Sequence, residues 1–396
     1  MRRRELGVLT TWALLLLLGC ASAAAQTASE DLALAPPSII ANPGPEFADD
    51  TRIFQGIPGL ERAPGGRLWA TWYGGGPTEG PENYCMLATS GDDGTTWTGV
   101  KLVVDMPGPV RTFDPCLWVD PLGRLWFFWA QGYTHWDGRA GVWAVVTEQP
   151  DQEDPVWSEP RRICDGIMMN KPIVLSTGDW LLPVSIWPDK PNVADPSHAH
   201  DISASTGSHV YASNDQGATW TKRGSCDVKG RSCDEHMLVE RKNGDLWLLV
   251  RASYGVGEAL SKDRGATWEV LGPSKTIPHV KTARFFIRRL TSGKLLLVRH
   301  NSPELKKRTH LTAFLSDDDG QTWTGGLVID ERECSYPDGV QAPDGTIYII
   351  YDHERKGAKQ ILMATFTESD IEAGKPVSDT ARMRVVVNQA TGKPAG

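Results

Sequence analysis

Ser90-Gly91-Asp92-Asp93-Gly94-Thr95-Thr96-Trp97 is the stretch that decides the fold, because its pattern Ser-x-Asp-x-Gly-x-Thr-Trp returns at 213–220, 261–268 and 316–323. The pattern has the chemistry of a tight turn between strands. Asp accepts hydrogen bonds from nearby backbone N–H groups, Gly takes the left-handed position, and Trp packs back onto the sheet. These aspartates are therefore read as structural and not as candidates for chemistry.

A second repeat runs beside the first. A glycine turn opens a strongly apolar run at Gly66-Arg67-Leu68-Trp69, Gly123-Arg124-Leu125-Trp126, Gly178-Asp179-Trp180-Leu181, Gly244-Asp245-Leu246-Trp247, Gly293-Lys294-Leu295-Leu296 and Gly345-Thr346-Ile347-Tyr348. The glycines are 57, 55, 66, 49 and 52 residues apart. Six units of about fifty residues, each long enough for a four-stranded antiparallel sheet, predict an all-β, six-bladed β-propeller. A sandwich or a solenoid has no reason to repeat at this period. The stretch near Trp157 stands where the second unit should carry the octapeptide, without the motif.

Composition agrees with short strands and tight turns: 396 residues hold 16 Trp, 40 Gly and 27 Pro. The formal net charge of −8 argues against nucleic acid or an anionic membrane as the main partner, so an anionic ligand would need a local cationic pocket. Arg2, Arg3 and Arg4, the apolar run Val8 to Leu18 and the small residues Ala21 to Ala25 form the pattern of a secretory leader. Cys20, after Leu17-Leu18-Gly19, also fits a lipidation site, so cleavage after the alanines and a lipid anchor both stay open, the anchor being the one expected link to a membrane. The expected organisation is a leader over 1–25, a lead-in over 26–45, the propeller over 46–375, and a closing strand or tail over 376–396. Export permits disulfides, and among Cys85, Cys116, Cys164, Cys226, Cys233 and Cys334 only Cys226 with Cys233 is suggested by proximity. Metal-ligand spacings of the Cys-x-x-Cys or His-x-x-x-His kind are lacking, and His198-Ala199-His200-Asp201, with His135 and His279 elsewhere, reads better as loop than as metal site.

Four elements then resemble the sialidase (neuraminidase) superfamily, whose repeats of this kind are called Asp boxes. Asp234-Glu235 is followed sixteen positions after the glutamate by Arg251; Arg308 precedes the last box; Tyr336, in Cys334-Ser335-Tyr336-Pro337-Asp338, follows about thirty residues later. The resemblance implies an exported retaining exo-glycosidase that removes a terminal anionic sugar, sialic acid by default, from a glycan, without a cofactor. In it Tyr336 is the nucleophile, Glu235 its base, and Arg251 and Arg308 bind the substrate carboxylate. A sialic acid carries its carboxylate on the anomeric carbon, which repels a carboxylate nucleophile but not a neutral tyrosine. A phenol with an ordinary pKa near 10 then needs a neighbouring base.

The chain departs from the family in two places. Where the family has Arg-Ile-Pro in blade one, this chain has Gln55-Gly56-Ile57-Pro58, and Arg52 or Arg111 is left to supply a third cation. Where the family has an acidic aspartate after the first blade-one strand, the loop reads Tyr73 to Tyr84 and offers Glu79 or Glu82 as general acid. Two alternatives follow: a propeller glycosidase for a uronate or other polysaccharide sugar, and a non-catalytic carbohydrate-binding propeller. A sialic acid pocket would be expected to gain turnover from Gly56→Arg. Asn170-Lys171 and Arg284 are further candidates for the channel, and Trp72, Tyr73 and Trp129 for a sugar-pocket wall.

Overall fold

The computed structural model describes residues 31–279 and 281–394, so the expected leader and Cys20 lie outside the described residues. Each glycine turn of the second repeat does what its position demands. Gly66, Gly123, Gly178, Gly244, Gly293 and Gly345 all have positive φ, between 80° and 113°, and each joins the innermost strand of a sheet to the next. The second strands that follow are buried almost throughout, as in Leu246–Ala252 and Ile347–His353, because both faces of each sheet pack against neighbours.

Six antiparallel sheets result. Their inner strands are Phe54–Arg62, Val110–Val119, the short Ile173–Val174, Met237–Glu240, Phe286–Arg289 and Cys334–Gln341, and we number the blades one to six in that order. The apolar core lies between blades. Leu249 and Val256 of blade four, Leu297 and Leu315 of blade five, and Ile349 and Leu362 of blade six share one cluster. Ser38–Ala41 adds a fifth strand to blade one, and Arg382–Gln389 is the outer strand of blade six.

The octapeptides join the third and fourth strands of blades one, three, four and five. In the first, Ser90 Oγ accepts from Gly94 N at 2.9 Å, and the amide and hydroxyl of Thr96 donate to Asp92 and hold its carboxyl down to about 2. The glycine is also a point of close approach: a Cβ at Gly320 would lie 2.6 Å from the Trp247 ring of the preceding blade. Blade two has a longer connection there, from which Trp157 packs edge-on to Trp69 at 6.0 Å. Blade six has a short helix, Glu368–Ala373, closed by a capping box between Thr367 and Asp370.

Among the described residues no strand is shared between the first and last blades, and the ring is closed by side chains and by two backbone bonds, Gln55 N to Arg355 O at 3.2 Å and Thr391 N to Asp49 O at 2.8 Å. Arg52, fully buried, donates to Phe47 O at 2.8 Å, Gln55 Oε1 at 3.0 Å and Asn388 Oδ1 at 3.0 Å, and pairs with Asp49. Gln55 in turn donates to Lys359 O at 2.7 Å. These bonds tie the lead-in and blade one to blade six.

An ionic cluster plugs the channel. Lys171 Nζ reaches Glu61 Oε2 at 3.1 Å, Leu117 O at 2.8 Å and Asp338 Oδ2 at 3.3 Å, and also donates to Leu60 O. Arg284 donates to Asn170 Oδ1 at 2.7 Å and Met169 O at 3.0 Å and pairs with Asp338 at 3.5 Å, while Asn170 donates to His236 O at 2.9 Å. Residues from all six blades thus meet in this plug.

The expected Cys226–Cys233 disulfide is not formed, and all six described cysteines are free. The two residues are close in sequence, but Cys226 packs into the cluster between blades three and four, whereas Cys233 lies against the cluster around blades one and two.

Candidate active site

One register that faces the channel recurs in every blade. The residue nine positions before each turn glycine is Ile57, Asp114, Met169, Glu235, Arg284 or Tyr336. In three of these the inner strand bulges, the residue takes a positive φ (58° at Ile57, 48° at Asp114, 55° at Tyr336), and proline follows. Proline has no N–H for the ladder, so the strand breaks its pairing there and re-aims the preceding side chain. A left-handed conformation costs a non-glycine residue roughly 1–2 kcal/mol. Such strain persists where the surroundings over-determine it, and functional sites are common places for it.

Tyr336 therefore leaves the plane of blade six, and its hydroxyl donates to Glu235 Oε1 at 3.0 Å. Glu235 is aimed from the far side by its neighbour. Asp234, at φ 28°, is ion-paired to Arg231, which also donates to Ile186 O at 3.2 Å, and Glu235 is turned the other way. Arg251, in the second strand of blade four, donates to the same Glu235 oxygen and lies 3.4 Å from the Tyr336 hydroxyl. Glu235 Oε2 is buried with no hydrogen-bond partner among the described residues. Burial, and then the Glu235 charge, push the Tyr336 phenol well above its ordinary pKa, against the pull of Arg251, Arg308 and Arg355. The resting tyrosine is a neutral hydroxyl bonded to a carboxylate.

Arg308, in the loop between the second and third strands of blade five, brings its guanidinium 5.8 Å from the Tyr336 ring centre and is held by Thr282 O at 3.0 Å. Glu79 also reaches the mouth, from a loop that follows the second strand of blade one, since Phe54–Arg62 is itself a strand. It pairs with Arg355 at 2.9 Å and lies 3.8 Å from His135 Nδ1. Glu82 does not reach the site; it is exposed and folds back over Gly76.

Neither cation expected to replace the family's blade-one arginine faces the mouth. Arg52 is spent on ring closure, as described above. Arg111 is 1% exposed, stacks 3.8 Å over the Phe113 ring, and donates to His135 O at 2.8 Å and Asn83 Oδ1 at 3.4 Å, which fixes the loops of blades one and two from beneath. Trp72, Tyr73 and Trp129 are fully buried and serve as core, not as a sugar-facing wall. Asn170, Lys171 and Arg284 do face the channel, but as its plug. His198, on the loop expected there, stacks on Tyr133 at 3.9 Å.

Sequence reasoning passed over two residues. Arg355, in the turn after the second strand of blade six, lies 5.3 Å from the Tyr336 ring centre. No motif marks it. Asp114 is the blade-two counterpart of Tyr336, and the nine-residue register would have found it. Burial pushes its carboxyl up to about 8, against Arg111, with Glu79 and Glu235 adding to the rise and Arg284 opposing it. This carboxyl is protonated at neutral pH. Since its folded value lies above its unfolded one, near 3.9, the folded state is increasingly penalised as pH rises from about 4 to about 8. The isosteric Asp114→Asn variant lacks that penalty. Thermal melts of the two proteins across this range should diverge, with the wild type falling relative to the variant as pH rises.

Residues 62–349 match the family described as BNR repeat-like domain. The chain belongs to that family. It is 28% identical over 152 residues to the "Sialidase" of Micromonospora viridifaciens, a match covering 36% of this chain and 23% of that protein's length. The Hadza microbial sialidase Hz136 superposes with a TM-score of 0.64 at 19% identity, over 82% of this chain and 67% of that one. The intramolecular trans-sialidase from Ruminococcus gnavus, solved with oseltamivir carboxylate, superposes with a TM-score of 0.64 at 12% identity, over 84% and 98%. A protein of unknown function from Dyadobacter fermentans gives 0.60 at 17% identity, over 84% and 97%. The BNR-family chain thus has the six-bladed propeller of the sialidases, and sialidases stand among its relatives in sequence as well as in fold.

Proposed function

We propose that this BNR-repeat protein is an exported retaining exo-glycosidase that cleaves a terminal anionic sugar, sialic acid being the substrate the site fits best. The observation that carries the proposal is the Tyr336 hydroxyl donating to Glu235 Oε1 at 3.0 Å, with Arg251 on the same carboxylate and Arg308 beside the ring. A buried phenol hydrogen-bonded to a carboxylate is a nucleophile with its base in place. The guanidinium groups around it supply the cationic pocket that a chain of net charge −8 needs to hold an anion.

The reaction follows in two displacements. The Tyr336 oxygen attacks the anomeric carbon as its proton passes to Glu235. The bond to the leaving oxygen breaks, and that oxygen takes a proton from Glu79. In the second half Glu79, now ionised, takes a proton from water; the water oxygen attacks the anomeric carbon, and the Tyr336 oxygen leaves and recovers its proton from Glu235. Two inversions give net retention.

The test is incubation of the full chain with an aryl α-sialoside while proton NMR follows the first sugar released. Release of the α-anomer is expected. Release of the β-anomer first would remove the covalent route, and cleavage of aryl uronides with sialosides untouched would move the substrate class.

A further inference from the structure

Gly56 and Arg355 each account for the other. Gly56 is not among the glycines of positive φ, so its backbone does not require glycine. Its space does: a Cβ there would lie 2.3 Å from Cδ and 2.5 Å from Cγ of Arg355, and 2.9 Å from Asp352 Oδ2. The stem of Arg355 runs through the volume that any side chain at position 56 would occupy. Its guanidinium comes out beside Phe54 and over Tyr336, 5.9 Å and 5.3 Å from the ring centres. Arg251, Arg308 and Arg355 therefore surround one phenol. Arg308 and Arg355 line a cleft of about 470 Å³ together with Lys281, Lys306 and Lys307 and the acids Glu333, Asp352 and Glu354.

The Arg355 fork is already engaged. Glu79 Oε1 accepts from it at 2.9 Å, and both side chains are partly exposed, at 24% and 28%. Glu79 stands on the loop that follows the strand Leu68–Gly75, between Gly76 and Gly80. A carboxylate on a loop, held on a partly exposed guanidinium next to the nucleophile, occupies the position a ligand carboxylate would take.

Resting on the glycosidase reading above, we propose that Arg355 is the third carboxylate-binding arginine of this site, that Gly56 is the residue that makes room for it, and that Glu79 is the carboxylate it releases when the sugar acid arrives. The third cation thus comes from blade six and not from blade one. Gly56→Arg, the change expected from sequence to raise sialoside turnover, instead drives a second arginine into the stem of the first.

Calorimetric titration of the full chain with free sialic acid, and with its methyl ester as the uncharged control, tests this. Loss of a bidentate charge-assisted contact in Arg355→Ala should weaken binding of the acid by roughly 10- to 100-fold and leave the ester nearly unchanged. Gly56→Ala should weaken the acid in the same direction although it removes no charge. Glu79→Gln should tighten the acid several-fold, because the internal competitor has lost its charge. Arg355→Ala binding the acid as the wild type does, or Glu79→Gln binding it more weakly, overturns the assignment of Arg355 and Glu79 while the glycosidase reading stands. A wild type that binds the acid no better than its ester overturns the sugar-acid reading itself, and this inference with it.

Discussion

Tyr336→Phe is expected to lower turnover of an aryl α-sialoside by on the order of 10⁴-fold or more, with KM close to that of the wild type. The ring stays. Tyr336 is 6% exposed and packs in the cluster around blades one and two, and a phenyl group keeps those contacts. Glu235 loses a donor but keeps Arg251, so no bare buried charge is created. If Arg251 and Arg308 bind the substrate carboxylate as proposed, they stay in place to do so, and the loss should fall on kcat. Glu235→Gln is the companion test: the amide still accepts a hydrogen bond but cannot take the proton, and a loss of about 10²- to 10⁴-fold is the usual cost of removing a general base. Burial and the Glu235 charge hold the phenol above its ordinary pKa. The phenolate is therefore not a resting species, and if Tyr336 and Glu235 act as proposed they should fail together, their double variant losing little beyond the worse single one. Full turnover in Tyr336→Phe would remove the covalent mechanism.

What the sequence made legible was whatever is local or repeated. The octapeptide and the glycine turn are each closed by bonds within a few residues, such as Gly94 N to Ser90 Oγ, so the pattern of residues is also the pattern of contacts. Repetition then gave the ring. Glu235, Arg251, Arg308 and Tyr336 stand on three blades, yet they converge because equivalent positions of a propeller face one channel. Asp114 was legible in principle, since it shares the register of Glu235 and Tyr336. Arg52 and Arg111 show the opposite failure. An arginine near the right place in sequence is no candidate until its burial is known, and both are spent on structure. The pairing of Gly56 with Arg355 spans almost the whole propeller and exists only because the ring closes, so nothing at either position announces it.

The largest effect on stability is expected from Lys171→Met. Its ammonium, 4% exposed, holds Glu61 and Asp338 and accepts burial only because they are there; the methionine stem fills much of the space but takes the cation from Glu61 and leaves Asp338 with Arg284 alone, at 3.5 Å. Breaking a buried pair from one side costs about 3–5 kcal/mol, whereas an exposed ion pair is worth roughly 0–1 kcal/mol. Denaturant midpoints should therefore move far for Lys171→Met and little for Lys101→Met, whose partners Glu153 and Asp154 are about half exposed. The fall should be nearly independent of pH around neutrality. Burial opposes the charge of Lys171, but Asp338 and Glu61 outweigh it and keep its folded pKa above the ordinary value, so its contribution is lost only on the alkaline side. The plug also reaches the chemistry. Asp338 ends the bulge that begins at Ser335 and carries Tyr336; its Oδ2 accepts from Leu60 N at 2.9 Å and is ion-paired with Lys171 Nζ at 3.3 Å. With Lys171 gone, the bulge that aims the phenol at Glu235 loses one of its fixed points. Turnover per folded molecule should then fall as well, measured at a temperature where the variant is still fully folded. Unchanged turnover there would mean that the strain at Tyr336 is held by blade six alone.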